Sequence, residues 1–147
     1  MGNAEKRTRG RSQALQLLFT REFDTDGLVS TPDSTADVMD DLVVEDYARE
    51  LYDGVVEHID EIDATIEAAS RNWLISRMPI TDRSILRIAV YEILFREDVP
   101  VGVSINEAVE LAQSFGGEDD SFKFINGLLG RIAKDMPAPA GDGAQVD

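Results

Sequence analysis

ITDRSILRIAVYEILFREDVPVGVSINEAVELAQSFG, residues 80–116, is the stretch that decides the architecture. Ile85, Leu86, Ile88, Ala89 and Ile93 fall on one wide apolar stripe when the chain turns every 3.6 residues. Pro79 followed by Thr81 as N-cap supplies a start, and Glu97-Asp98-Val99-Pro100 reads as the turn that ends this helix. Ser104-Ile105-Asn106-Glu107 then has the spacing of a capping box, in which hydroxyl and carboxylate each satisfy an unpaired amide. Ala108, Val109, Ala112 and Phe115 follow at helical steps, and Gly116-Gly117 is the stop. No run of four to eight residues, here or elsewhere, alternates apolar and polar between turn signals, so the expected class is all-α, with about seven helices.

Working outward, a last helix is expected after Asp119, Asp120 or Ser121, with Ile125, Leu128, Leu129 and Ile132 inward and a stop before Pro137. Upstream, Leu51, Tyr52, Val55, Ile59, Ile62, Ile66 and Ala69 recur at threes and fours, as one long helix or two joined between Gly54 and Asp60. Gly54 weakens a helix interior by roughly 1 kcal/mol against alanine. A first helix is expected from Ser12 to Phe23, with Leu15, Leu18, Phe19 and Phe23 on one face. Residues 24–41, rich in Asp, Ser and Thr and containing Pro32, read as a loop with at most one short helix near Ala36 to Met39. The reading divides the chain into a flexible basic arm (1–11), one helical domain (12–136) and a disordered tail (137–147).

A chain of 147 residues fits a single domain. Cysteine is absent, which excludes disulfides, thiolate nucleophiles and thiolate zinc sites. The first residues lack the apolar run of a signal peptide, and no segment approaches the ~18 apolar residues of a membrane span, so no membrane contact and a cytoplasmic location are expected. The net charge of −15 argues at first against nucleic acid. Its distribution reverses that. Residues 1–21 carry Lys6, Arg7, Arg9, Arg11 and Arg21 against Glu5 alone, a net of +4, whereas residues 22–67 carry sixteen acids against Arg49, a net of −15. The acidic stretch reads as a solvated, solubilising face, or as one that keeps RNA off.

Signs of catalysis are sparse. His58, the single histidine, has no serine or cysteine partner suggested nearby, and reads as a surface or interface residue. Gly116-Gly117 and Gly127 lack the spacing of a phosphate loop or a dinucleotide fingerprint, so no cofactor is expected. Glu22, Asp24, Asp26-Gly27 and Asp33 partly imitate a calcium loop, with Glu at the first ligand position and Pro32 before the last. The arm Lys6-Arg7-Thr8-Arg9-Gly10-Arg11 has no apolar residue, so it is solvated or bound to an anion, and phosphate contacts position without specifying. Single-stranded RNA readout also needs aromatic platforms. Phe122 and Phe124 are candidates, since the stripe of the last helix passes beside them, with a core role as the alternative.

In this order the segments resemble the NusB family. The resemblance is carried by residues 80–116, with their leucine-arginine-isoleucine and tyrosine-glutamate helix, Val-Pro turn and Ile-Asn-Glu-Ala run, and by EDDSFKFINGLL, residues 118–129. With the arm and first helix it spans about residues 6 to 134; residues 24–45 and the tail do not contribute. It implies two small helical bundles packed together, and a non-catalytic role as partner of ribosomal protein NusE in binding the boxA element of rRNA leader transcripts. Arg7, Arg9 and Arg11 match the arginine-rich arm, and Gln16 lies where the RNA face begins. Asp119, Lys123 and Phe124 match the RNA-facing positions around the start of the last helix, while Phe19 and Asp82 match positions of the NusE contact. The arm has fewer consecutive bases than the family pattern, Phe19 lacks the hydroxyl of a tyrosine often found there, and Asp120 is an extra acid.

The implied mechanism is assembly: NusE completes an RNA surface that neither protein holds well alone. The complex joins RNA polymerase with companion Nus factors and keeps elongation processive. Exposed aromatic residues on the first helix also permit a homodimer. Two other classes compete. One is an interaction module that uses the acidic face without RNA; the other is a relative of the leading domain of Sun-type rRNA cytosine methyltransferases, which need a further domain and a reactive cysteine.

Overall fold

The computed structural model describes residues 2–23, 44–71, 73–115 and 120–135. Among these are six α-helices: α1 Asn3–Glu22, α2 Asp46–Glu57, α3 Ile59–Ala69, α4 Ile80–Phe95, α5 Val101–Phe115 and α6 Ser121–Asp135, with a 3-10 turn at Ile75–Arg77. The all-α class stands, and the described residues contain no strand. The short helix expected near Ala36 to Met39, the expected stop at Gly116-Gly117 and the tail lie outside the described residues.

Helix α4 is the axis of the molecule. It touches every other helix, with α1 packed on α2 and α5 packed on α6 around it. Its stripe is as wide as the sequence requires: Ile85, Leu86, Ile88, Ala89, Val90 and Ile93 are all buried. Leu51, Val55, Ile62 and Ile66 meet it from α2 and α3, and Ile125, Leu128, Leu129 and Ile132 complete the core from α6.

Several helix boundaries differ from expectation, each for a local reason. α1 begins at Asn3, so residues 3–11 are helical where a flexible arm was expected. The Gly2 amide donates to Glu5 Oε1 at 3.1 Å, and Gly10 lets α1 press on α2, where an added Cβ would lie 3.1 Å from the Ala48 nitrogen. α4 starts at Ile80, one residue before the expected Thr81 cap, with the Pro79 carbonyl accepting the Arg83 amide. The capping box at Ser104 does not form. Pro100, with its fixed φ, starts α5 a turn earlier and its carbonyl accepts the Val103 and Ser104 amides, which frees the Ser104 hydroxyl for another partner. At α6 the residue before the helix is Asp120, whose carbonyl accepts the Lys123 and Phe124 amides.

The joint between α2 and α3 is at His58, whose ring stacks on Phe95 at 4.2 Å. Gly54 sits within α2 because Tyr91 of α4 occupies its side-chain space: an added Cβ would meet the Tyr91 ring at 2.3 Å. Gly54→Ala is therefore expected to lower stability, since overpacking costs about 1–3 kcal/mol, against about 1 kcal/mol of helix propensity regained. In a Tyr91→Ala background the same change should raise the melting temperature. A single Gly54→Ala variant that melts above the parent removes the close contact from the account.

The acidic stretch is in part internal counter-charge. Glu22 receives Arg83 and Arg87, each at 2.8 Å, and Arg87 also pairs with Asp63. The hydrogen bond from Arg83 holds the Glu22 carboxyl below its ordinary value against the opposing effect of burial, and the charges of Arg83 and Arg87 add to it. Glu22 is thus committed within the fold, whereas Asp24, Asp26 and Asp33 of the calcium-like string lie outside the described residues. Among the described residues no group of three or more carboxylates or histidines is placed to hold a metal. No described helix is long and apolar enough to cross a membrane.

Candidate nucleic-acid and partner interface

Of the three arm arginines, Arg7 and Arg11 lie one turn apart on the same helix face and Arg9 lies away from them. Arg11 is buried. Its Nε donates to Glu92 Oε2 at 2.8 Å, and Glu107 Oε1 lies 3.3 Å from its Nη1. Glu92, itself 1 % exposed, also accepts the Tyr47 hydroxyl at 2.5 Å and the freed Ser104 hydroxyl at 2.9 Å. Four helices therefore meet on one carboxylate. Burial, then the hydrogen bond to Glu92, pushes the Tyr47 hydroxyl well above its ordinary pKa and keeps it a donor. The expectation that Arg11 meets phosphate is corrected: a buried charge is held where it is paired, and this one is paired inside the fold.

Arg7 and Arg9 remain at the surface. Arg7 pairs with Asp98 at 2.6 Å and lies 4.9 Å from the Tyr47 ring centroid, with Arg96 5.1 Å from the same centroid. Arg9 reaches Glu45 at 3.4 Å, and Lys6 is exposed. Asp98 is held well below the usual carboxylate range by hydrogen bonds from Arg96 and then Arg7.

Further along α1, Gln16 is exposed and Phe19 is 40 % exposed. Together with Leu15, Thr20, Thr81 and Phe115 they line an open groove of about 430 Å³. The Phe19 and Phe23 rings pack at 5.2 Å, both on the outer side of α1 and not in the core as the periodicity implied. Asp82 does not face outward with them. It is 5 % exposed and accepts the Ser121 hydroxyl at 3.2 Å, so it ties α4 to the start of α6; Thr81 is the α4 residue at the groove.

At the start of α6, Lys123 is exposed, 3.5 Å from Asp120, and Phe124 is half-buried with its ring tilted against Trp73 at 4.8 Å. Phe122 packs against the core and borders a groove between α5 and α6 with Gly102, Asn106, Gln113 and Asn126. Asp119 lies outside the described residues. The first half of α5 separates the two candidate regions: Val103 and Glu107 face the arm, and Gly102 and Asn106 face α6. The arm, that strip of α5 and the α6 start thus form one succession across the surface.

Tyr47 and Trp73 were not singled out from the sequence, and Glu92 and Asp98 entered its reading only as part of a helix match and a turn. Glu92 belongs to a helix whose stripe was read for its apolar members, and a buried carboxylate has no periodic signature. Trp73 had a weak signal, as the single tryptophan, set between Arg71 and Arg77.

A family profile described as NusB family matches residues 8–134. A transcription antitermination protein NusB of Desulforudis audaxviator is 43 % identical over 134 residues, covering 88 % of this chain and 94 % of the relative. Among solved structures, a T. maritima NusB superposes with a TM-score of 0.81 at 34 % identity, covering 94 % of this chain and 96 % of that one. A chain from a crystal structure of antitermination factors NusB and NusE in complex with dsRNA superposes at 0.74 with 27 % identity, covering 90 % and 98 %.

Proposed function

The chain belongs to the NusB family, and on that premise we propose that it is an RNA-binding antitermination factor. It pairs with ribosomal protein NusE, and the pair binds boxA RNA of rRNA leader transcripts. Supporting this is the succession of Lys6, Arg7 and Arg9, the α5 strip, and Lys123 with Phe124 on a chain of net charge −15, in which Arg7, Arg9 and Lys123 are each paired with a surface carboxylate that a phosphate would replace. The arm supplies phosphate attraction and Phe124 a ring for an unstacked base. NusE covers the groove at Gln16, Phe19 and Phe115 and completes the RNA surface. Through NusE and companion Nus factors the complex joins RNA polymerase and keeps it processive. The chain acts by binding and not as an enzyme.

The test is a gel-shift titration of boxA RNA with this protein, with NusE, and with both; the mixture should bind where each alone binds weakly. Arg7→Ala with Arg9→Ala should then weaken binding of the mixture to every RNA sequence. The slope of log affinity against log salt should fall by about 0.7 for each lost single-strand phosphate contact. Arg11 is left in place, because its loss reports on folding. A double variant with the parent's affinity and slope makes the arm a bystander.

A further inference from the structure

Residues 73–79, which lead into α4, are tied down by hydrogen bonds yet turn Trp73 and Leu74 outward. The Ser70 hydroxyl donates to the Trp73 carbonyl at 2.8 Å, and the Ile75 amide donates to Glu67 Oε2 at 2.8 Å. Arg83 Nη1 donates to the carbonyls of Met78 at 3.0 Å and Ser76 at 3.3 Å. Ile75 and Met78 are buried, whereas Trp73 is 39 % and Leu74 50 % exposed. A tryptophan recruited for core packing would turn inward with Ile75; this one is held at the surface by a fixed backbone.

The cations at this end narrow the occupant. Arg71, at φ 56°, is the only non-glycine residue with positive φ among the described residues. It directly follows Ser70, the C-cap of α3, at the position where helices commonly end in left-handed backbone, a conformation that costs about 1–2 kcal/mol at a residue other than Gly. Arg71 and Arg77 are exposed and make no ion pair among the described residues, unlike Arg83, Arg87 and Arg96. Arg131 adds a third exposed cation at this end, its Nε donating to the Ala69 carbonyl at 3.0 Å. In a chain this acidic, unpaired arginines beside an exposed indole are complementary to a polyanion that carries flat rings.

We propose that Trp73 and Phe124 form a stacking corner for one unpaired base of single-stranded RNA, with Arg71 and Arg77 on the flanking phosphates. The two rings stand at 61° with centroids 4.8 Å apart, so a base laid on one is met edge-on by the other. This extends the RNA path beyond Phe124 onto the α3–α4 segment. It rests on the reading of this chain as RNA-binding.

The chain has one tryptophan, so its emission reports on this corner alone. The full-length protein is titrated first with NusE and then with a boxA oligonucleotide, with binding followed independently by gel shift. Quenching is expected on RNA addition and not on NusE addition. Trp73→Leu should lower RNA affinity about tenfold, within the range for one stacked base, with the salt slope unchanged. Trp73→Tyr should restore most of that loss, and melting curves establish that both variants fold. Arg71→Gly should melt higher than the parent, its backbone strain relieved, yet bind RNA more weakly and with a shallower salt slope. RNA bound by gel shift with unchanged emission, or Trp73→Leu binding as the parent does, overturns the corner and leaves RNA binding itself standing. Quenching by NusE alone overturns it in favour of a protein contact. Absence of RNA binding under every condition sinks both this inference and the function it rests on.

Discussion

Glu92→Gln is expected to cost the fold about 3–5 kcal/mol, the range for removing one partner of a buried ion pair. The cost arises because Arg11 stays buried, with only Glu107 at 3.3 Å to answer its charge. The amide also accepts less strongly from Tyr47 and Ser104, which lose a charged acceptor. For a chain near 150 residues this corresponds to a melting temperature lower by roughly 10 °C. Removing the stranded charge as well, with Arg11→Met, should recover most of the loss, so the two substitutions are strongly non-additive. A Glu92→Gln variant that melts with the parent means that the four-helix junction is not held by this pair.

Phe19→Asp should have the largest effect on assembly. The ring is 40 % exposed and contacts Phe23 beside the open groove, so a charge there meets water in the free protein and leaves the melting curve nearly unmoved. Covered by a partner, the same carboxylate is desolvated without a cation, at a cost of a few kcal/mol, on the order of a hundredfold in affinity. Co-purification with NusE should be lost while the chain stays folded. A large drop in melting temperature assigns Phe19 to the core; retained co-purification moves the partner surface elsewhere.

The apolar architecture was legible in the sequence, because burial of Ile85, Leu86, Ile88 and Ile93, or of Ile125, Leu128 and Ile132, leaves a period. What the period does not carry is polar burial. Arg11, Asp82 and Ser104 read as anion-binding, partner-facing or capping residues and Glu92 had no reading of its own, yet each is inside. Their partners lie 81, 39 and 12 positions away in the chain, beyond any local pattern. The arm failed as a flexible segment for the same reason: residues 3–11 have almost nothing apolar to bury, and their helix is held by Glu92, Asp98 and the Tyr47 ring. Of the proposed site, Arg7, Arg9, Lys123 and Phe124 could be named from residue type and resemblance, and all four reach the surface in full or in part. The exposure of Trp73 was not legible, because the backbone of its own segment decides that the ring points outward.

A basic segment that is already helical meets its ligand on different terms from a disordered one. Disordered arms sweep a large volume, wrap what they touch and lose chain entropy in doing so. With α1 formed from Asn3, that loss is already met in the free protein, and the arginines are presented at set intervals of 1.5 Å per residue along a rod. The heat-capacity change of association should then reflect only the surface covered, without the added increment that accompanies coupled folding. What the rod gives up is reach. Its capture radius is its own length, and on the proposed reading Asp98 and Glu45 would have to surrender Arg7 and Arg9 before a phosphate took their place.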